Sequence, residues 1–158
     1  MIDHPTTLQS PSDTAIQAQI ELKATPERVY AAWTQPEQFR QWFGPRKGTL
    51  QVDCFECAVG GRYDVVLLFD DGDRVRLDGE YCELDAPRRI VFTWHWTEGT
   101  DRGGDRSYET LVTINLAPSD LGTRLTLKHE RFLTPDSRDD HGQGWTSMFD
   151  LLATYLGR

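Results

Sequence analysis

The stretch HGQGWTSMFDLLATYL, residues 141–156, is where the chain changes period. From about Pro135 to Leu156, the residues His141, Trp145, Met148, Phe149, Leu152 and Leu156 recur at helical spacing and form one wide, largely aromatic stripe. A helix with such a face must be covered by another layer. The stretch from Thr49 to Glu130 alternates every two residues instead, with turn signals between the runs, which predicts an antiparallel meander. The helix is therefore expected to lie on the concave side of the sheet, an α+β arrangement.

The hairpins are legible from their turns. Asp71-Gly72 separates YDVVLLF from RVRLDGEYCEL, a pairing that favours the primed turns matching sheet twist. Asp85-Ala86-Pro87 leads into RRIVFTWHW, TEGTDRGGDR (97–106) forms a longer polar loop before SYETLVTINL, and Pro118 through Gly122 turns the chain into TRLTLKHE. Upstream, Ala15 to Lys23 alternates strictly, with Ile16, Ala18, Ile20 and Leu22 on one face, which is the pattern of a half-buried strand. Thr25-Pro26 then reads as an N-cap and first helical position, followed at helical spacing by Val29, Tyr30, Ala32 and Trp33. Pro36 restarts the pattern with Phe39, Trp42 and Phe43, and Gly44-Pro45 stops it, so two short helices follow the first strand. Residues 1–13 are rich in Pro, Ser, Thr and Asp without periodicity and are expected to be a flexible tail, leaving 14–158 as a single domain.

Composition narrows the functional classes. A chain of 158 residues with 38% hydrophobic content suits one compact core. Its 25 acidic and 17 basic residues give a net charge of -8, which repels a phosphate backbone and argues against nucleic acid as a partner. No basic segment leads into an apolar run, and no run reaches the ~18 apolar residues of a membrane span, so a cytoplasmic protein without a membrane span is expected. Three cysteines without an export signal are expected to be reduced thiols. Internal repeats are not found.

Several motifs have plain readings. Cys54-Phe55-Glu56-Cys57 matches a C-x-x-C pattern, but no second pair lies at zinc-ligand spacing and the motif sits at a strand end, so coincidence is the reading and no metal is expected. Cys82 is expected to pack as a small hydrophobe. Gly60-Gly61 marks a bulge or tight turn rather than a phosphate loop, and Asp53 and Arg62, which flank it, are placed to pair across it. The cluster Asp70, Asp71, Asp73 lacks the spacing of a calcium loop and reads as a solvated hairpin tip. Nucleophile-elbow and triad patterns are absent, and no cofactor is expected.

Other residues point inward. VFTWHW (91–96) places Phe92, Trp94 and Trp96 on one face of a strand and Val91, Thr93 and His95 on the other. With the first set inward, Phe92 near the strand centre reads as core, and Trp94 and Trp96 as the wall of a pocket. In TRLTLKHERF, His129 joins the apolar row of Leu125 and Leu127, a place where a hydrogen-bonded core histidine is the commoner outcome than a catalyst. His141 lies four residues before Trp145 on the helical stripe, so both imidazoles can reach one cavity. The glycines around Gln143 cost ~1 kcal/mol each in a helix. Gly144 has two readings: a close approach of helix and sheet that excludes a side chain, or a frayed first turn with the helix effectively starting there.

The segments ATPERVYAAWTQPEQFRQWFGP, GGRYDV, GEYCELDAPRRIVFTW, TLKHE and HGQGWTSMFDLLATYL resemble the SRPBCC group of the START-like superfamily, and within it the family related to the activator of the heat-shock chaperone ATPase. The likeness runs over roughly residues 14–157, and Gly144-Trp145 falls at a family GW motif. The resemblance implies a helix-grip fold, a curved antiparallel sheet wrapped around one long C-terminal helix. Members of the broader superfamily include lipid and hormone carriers, cyclases and dehydratases, and proteins that sequester reactive small molecules, so the fold does not choose among these.

Three functions are weighed. The first is binding of a small apolar or aromatic molecule between the sheet and the final helix. Its expected contact residues are Trp33, Trp42, Phe69, Tyr81, Trp94, Trp96, Tyr108, His129, His141, Trp145, Phe149 and Leu152. The second is an enzyme of cyclase, dehydratase or hydrolase type with His129 or His141 as acid or base. The third, implied by the resemblance, is a chaperone partner, weakened because the chain holds one domain where full co-chaperones carry another at the N-terminus.

Overall fold

The computed structural model describes residues 6–98 and 108–157. Its elements are β1 (Thr7–Ser12), β2 (Ala15–Leu22), α1 (Pro26–Thr34), α2 (Pro36–Trp42), β3 (Gly48–Phe55), β4 (Arg62–Phe69), β5 (Arg74–Asp85), β6 (Arg89–Glu98), β7 (Glu109–Pro118), β8 (Thr123–Glu130) and α3 (Pro135–Leu156). Among the described residues, eight strands form one sheet in the order β1-β2-β8-β7-β6-β5-β4-β3. Every neighbouring pair is antiparallel. The curved sheet, the two short helices and the long final helix make the helix-grip fold expected from the sequence.

Local chemistry accounts for the helix starts. The Thr25 hydroxyl accepts from the Arg28 N–H, and the Thr134 hydroxyl accepts from the Ser137 N–H, each followed by a proline at the first helical position. The indole N–H of Trp42 donates to the Ala32 carbonyl at 3.0 Å and ties α2 to α1. α1 and α2 then cap one part of the concave face with Trp33, Phe39, Trp42 and Phe43, while α3 lays Trp145, Phe149, Leu152 and Leu156 along the rest. β8 presents Leu125, Leu127 and His129 inward, all fully buried, as the alternation predicts. At Gly79 the Tyr63 ring crosses β5, and its hydroxyl donates to the Thr93 carbonyl at 2.6 Å; a Cβ there would run into that carbonyl and that ring.

Four expectations need correction. Residues 7–12 are a strand rather than a tail, paired with β2 through Thr7–Gln19, Leu8–Ala18 and Gln9–Gln17. The strand is an edge, mostly exposed, with Leu8 as its contact to the core, so it carries no hydrophobic alternation, and Pro11 is tolerated because an edge has an unpaired side. Asp53 and Arg62 do not pair: register brings Arg76 opposite β4, where it reaches both Asp53 (2.9 Å) and Asp64 (2.7 Å), while Arg62 lies opposite Glu80 and turns to Asp78 at 3.7 Å. Cys82 is exposed, because its neighbour Tyr81 takes the inward face of β5. Val91, assigned to the solvent face, is nonetheless 7% exposed, shielded by the neighbouring strands on the convex side and outside the main core cluster. Residues 1–5 and most of the polar loop at 97–106 lie outside the described residues.

Candidate functional site

The first half of α3 and the inward faces of β4 and β6 do not close on one another. They leave a cavity of about 420 Å³. Its wall from the sheet is Leu67 and Phe69 of β4 with Trp94 and Trp96 of β6, and its wall from α3 is His141, Gly144, Trp145 and Met148. The α2–β3 connection, Gly44 to Lys47, forms one lip, and Asp140 and Ser147 of α3 belong to the other. Trp94 and Trp145 approach at 5.1 Å between centroids, and Trp94 and Trp96 meet edge to face at 5.5 Å, so the interior is a set of inclined aromatic planes.

Gly144 explains part of the opening. A Cβ at Gly144 would meet nothing within 4 Å, whereas one at Gly142 would come within 3.3 Å of the Ile16 side chain. The close approach of helix and sheet is therefore at Gly142, and α3 starts at Pro135, well before either glycine. Neither reading of Gly144 holds: it is mid-helix and faces the cavity, where a side chain would occupy ligand space.

The two histidines reach the site differently. The indole N–H of Trp145 donates to His129 Nδ1 at 3.0 Å, and indole has no acceptor, so Nδ1 must be unprotonated. His129 Nε2 then carries the hydrogen and donates to the Thr110 hydroxyl at 2.7 Å, which donates in turn to the Trp94 carbonyl at 3.2 Å. The whole chain of bonds is buried. Burial, reinforced by the neighbouring His141, holds the His129 pKa well below the usual imidazole value of 6.5. His129 thus sits behind Trp94 and Trp145 as a neutral bracket between sheet and helix. His141 does line the cavity. The Trp96 indole donates to its Nε2 at 3.0 Å, which leaves Nδ1–H to donate to the Ser137 carbonyl at 2.8 Å, the other neutral tautomer. The Trp94 indole N–H, by contrast, is buried without an acceptor.

Of the residues expected to contact a ligand, Phe69, Trp94, Trp96, His141 and Trp145 line this cavity. Trp33, Trp42, Phe149 and Leu152 pack in the core, and Tyr81 faces a different and much smaller void with Trp33, Phe39, Tyr63 and Phe92. Tyr108 lies just before β7, where its hydroxyl bonds to the Ser137 hydroxyl at 3.0 Å and accepts from the Leu133 N–H. The lip residues Arg46 and Lys47 were not singled out, because Gly44-Pro45 reads only as a helix stop. Leu67 was within reach of the same alternation that places Phe69.

Cys54 and Cys57 are free thiols, and burial pushes the Cys57 thiol up in pKa, against the direction of a reactive cysteine. Among the described residues no cluster of three or more His, Cys, Asp or Glu side chains could hold a metal, and no helix is long and apolar enough to cross a membrane.

Comparison with known proteins adds to this geometry. Residues 23–157 match the family model described as activator of Hsp90 ATPase homolog 1-like protein. The search of curated proteins found no match. Among solved structures, a protein from Chromobacterium violaceum shares 27% identity over 92% of this chain and 99% of its own, with a TM-score of 0.81. One from Rhodobacter sphaeroides shares 25% identity over 96% and 97%, TM-score 0.80. The AHSA1 protein from Silicibacter pomeroyi shares 25% identity over 90% and 97%, TM-score 0.78.

Proposed function

The chain belongs to the activator of Hsp90 ATPase homolog 1-like family, and on that premise we propose that it binds a small apolar or aromatic molecule in the cavity between the curved sheet and α3. The observation that carries this reading is the open volume of about 420 Å³ bounded by Trp94, Trp96, Trp145, Phe69 and Met148. Small-molecule sites span roughly 300–1,000 Å³ and are mostly apolar with few placed polar groups. A well-packed core leaves no such void.

An acid–base enzyme in the same cavity has less support. His129 is fully buried with both nitrogens bonded to protein, and both nitrogens of His141 are also engaged. A chaperone partner rests on the family description, and the large hydrophobic side chains exposed among the described residues are Val59 and Leu133. Two such side chains make no extended apolar docking patch.

The test is a screen of flat apolar metabolites by native mass spectrometry against the parent protein and Gly144→Leu. Trp94→Ala is a poorer control, since Trp94 is 3% exposed and its loss would open the core as well as the wall. A stoichiometric adduct that disappears in the folded Gly144→Leu variant is the expected result. Adducts that survive the substitution, or none at all with the fold intact, would overturn the reading.

A further inference from the structure

We propose that the ligand is a flat apolar monoanion, such as an aromatic carboxylic acid, with its ring system between Trp94, Trp96 and Trp145 and its charged group at Lys47 on the lip. This rests on the apolar-cavity reading above. Among the described residues the interior wall contributes no charge: its polar groups are neutral, with the nitrogens of His141 engaged by Trp96 and Ser137. Among the described residues, the charged side chains of the site stand at its mouth: Arg46, Lys47 and Asp140.

These three are not equivalent. Arg46 is committed, its guanidinium donating to Asp150 at 3.0 Å and reaching the Ser147 carbonyl at 3.5 Å, so it latches the lip onto α3. Asp140 is engaged already. Lys47 is exposed, and among the described residues its ammonium has no carboxylate partner, although the chain as a whole carries eight more acidic than basic side chains. Its backbone is fixed: the Lys47 carbonyl accepts from the Asp70 N–H at 3.1 Å, and the next residue, Gly48, pairs with Phe69, itself a wall of the cavity. An unspent cation thus stands at a set place beside an aromatic opening. A cationic ligand would be repelled there, and a neutral one would leave the charge unused.

A matched pair of fluorescent probes separates charge from apolar fit: 8-anilinonaphthalene-1-sulfonate and N-phenyl-1-naphthylamine, which differ only in the sulfonate. Titration at low salt of the parent protein, Lys47→Gln and Gly144→Leu reads both affinities. The anion is expected to bind tighter than its neutral partner by roughly fivefold, the worth of one exposed ion pair. That ratio should fall toward one in Lys47→Gln and narrow in about 0.5 M salt, where the screening length is short. Both probes should be lost in Gly144→Leu. A ratio near one in the parent, or one unmoved by Lys47→Gln, with both probes still blocked by Gly144→Leu, would overturn the anion and leave the cavity reading standing. Probes that bind Gly144→Leu as well as the parent, or fail to bind at all, would overturn both.

Discussion

Two regions of the space between sheet and helices are built from the same kind of residue and come out differently. Beneath α1 and α2, Trp33, Phe39, Phe43, Tyr63, Tyr81 and Phe92 close to a void of about 10 Å³, room for about one water. Beneath the first half of α3, Trp94, Trp96 and Trp145 bound about 420 Å³. Phe43 marks the border, 6.0 Å from Trp94 and 6.4 Å from Trp145. Aromatic content therefore does not make a pocket. The difference lies in the cover: α1 and α2 deliver large side chains onto the sheet, whereas α3 presents Gly144 where a side chain would fill the gap.

The largest expected contrast comes from truncating one aromatic in each region. Phe92 meets Trp33, Tyr63 and Tyr81, so Phe92→Ala should cost about 3–5 kcal/mol and leave the affinity of the folded fraction for an apolar probe nearly unchanged. Trp96 is only half-buried and already borders open space, so Trp96→Ala should cost roughly 1–2 kcal/mol, less than a filled-core truncation, yet weaken probe binding several-fold. Chemical denaturation and probe titration of the two variants measure both quantities. Equal stability losses would erase the distinction between filled and open halves.

His129 is the bracket behind the open half, and its replacement tests whether a fixed polar network keeps that wall standing. In His129→Leu the Trp145 N–H loses its acceptor in a buried place, a cost of about 2–3 kcal/mol at pH 7. The pH dependence has a definite sign. The folded state holds His129 neutral with its pKa well below 6.5, so below that pH the unfolded chain binds the extra proton. The stability that a neutral His129 supplies is complete above pH 6.5 and is lost as pH falls, by up to about 1.4 kcal/mol per unit. Melting curves from pH 7.5 to 5 should show the parent and His129→Leu converging. Parallel curves would mean that the folded protein takes up the proton as readily as the unfolded chain, which would break the assignment of Nδ1 as the acceptor of the Trp145 N–H.

Much of this was readable in the chain, and what was not has physical causes. The bounds of α3 follow from the change of period, and the meander from alternation and turn residues, because each of those elements buries one face. β1 escaped notice because an edge strand held by backbone hydrogen bonds needs no hydrophobic pattern. The aromatic row of β6 identified inward residues, but its division into core and wall depends on what lies across from each one, and that is set by helix placement. The protonation states of His129 and His141 follow from two tryptophan donors on different elements, Trp145 on α3 and Trp96 on β6, a meeting no local spacing encodes.

The smallest effect bears most directly on why the open half is open. Gly142 and Gly144 stand in the same helix, and alanine at either position should gain close to the ~1 kcal/mol by which it exceeds glycine as a helix former. At Gly144 the new methyl group meets nothing within 4 Å, so the gain should appear nearly whole. At Gly142 the methyl comes to 3.3 Å from Ile16 Cδ1, tighter than an ordinary contact, and α3 must yield by a few tenths of an ångström or Ile16 must turn aside. Gly144→Ala should therefore be the more stable of the two by some tenths of a kcal/mol, read as the difference in denaturation midpoint at constant slope. A glycine at a position where alanine would stabilise the fold with nothing in its way is then explained by the space it leaves free; if Gly144→Ala instead destabilises the protein, that explanation falls, and the opening must be attributed to the lip and the Trp96–His141 contact.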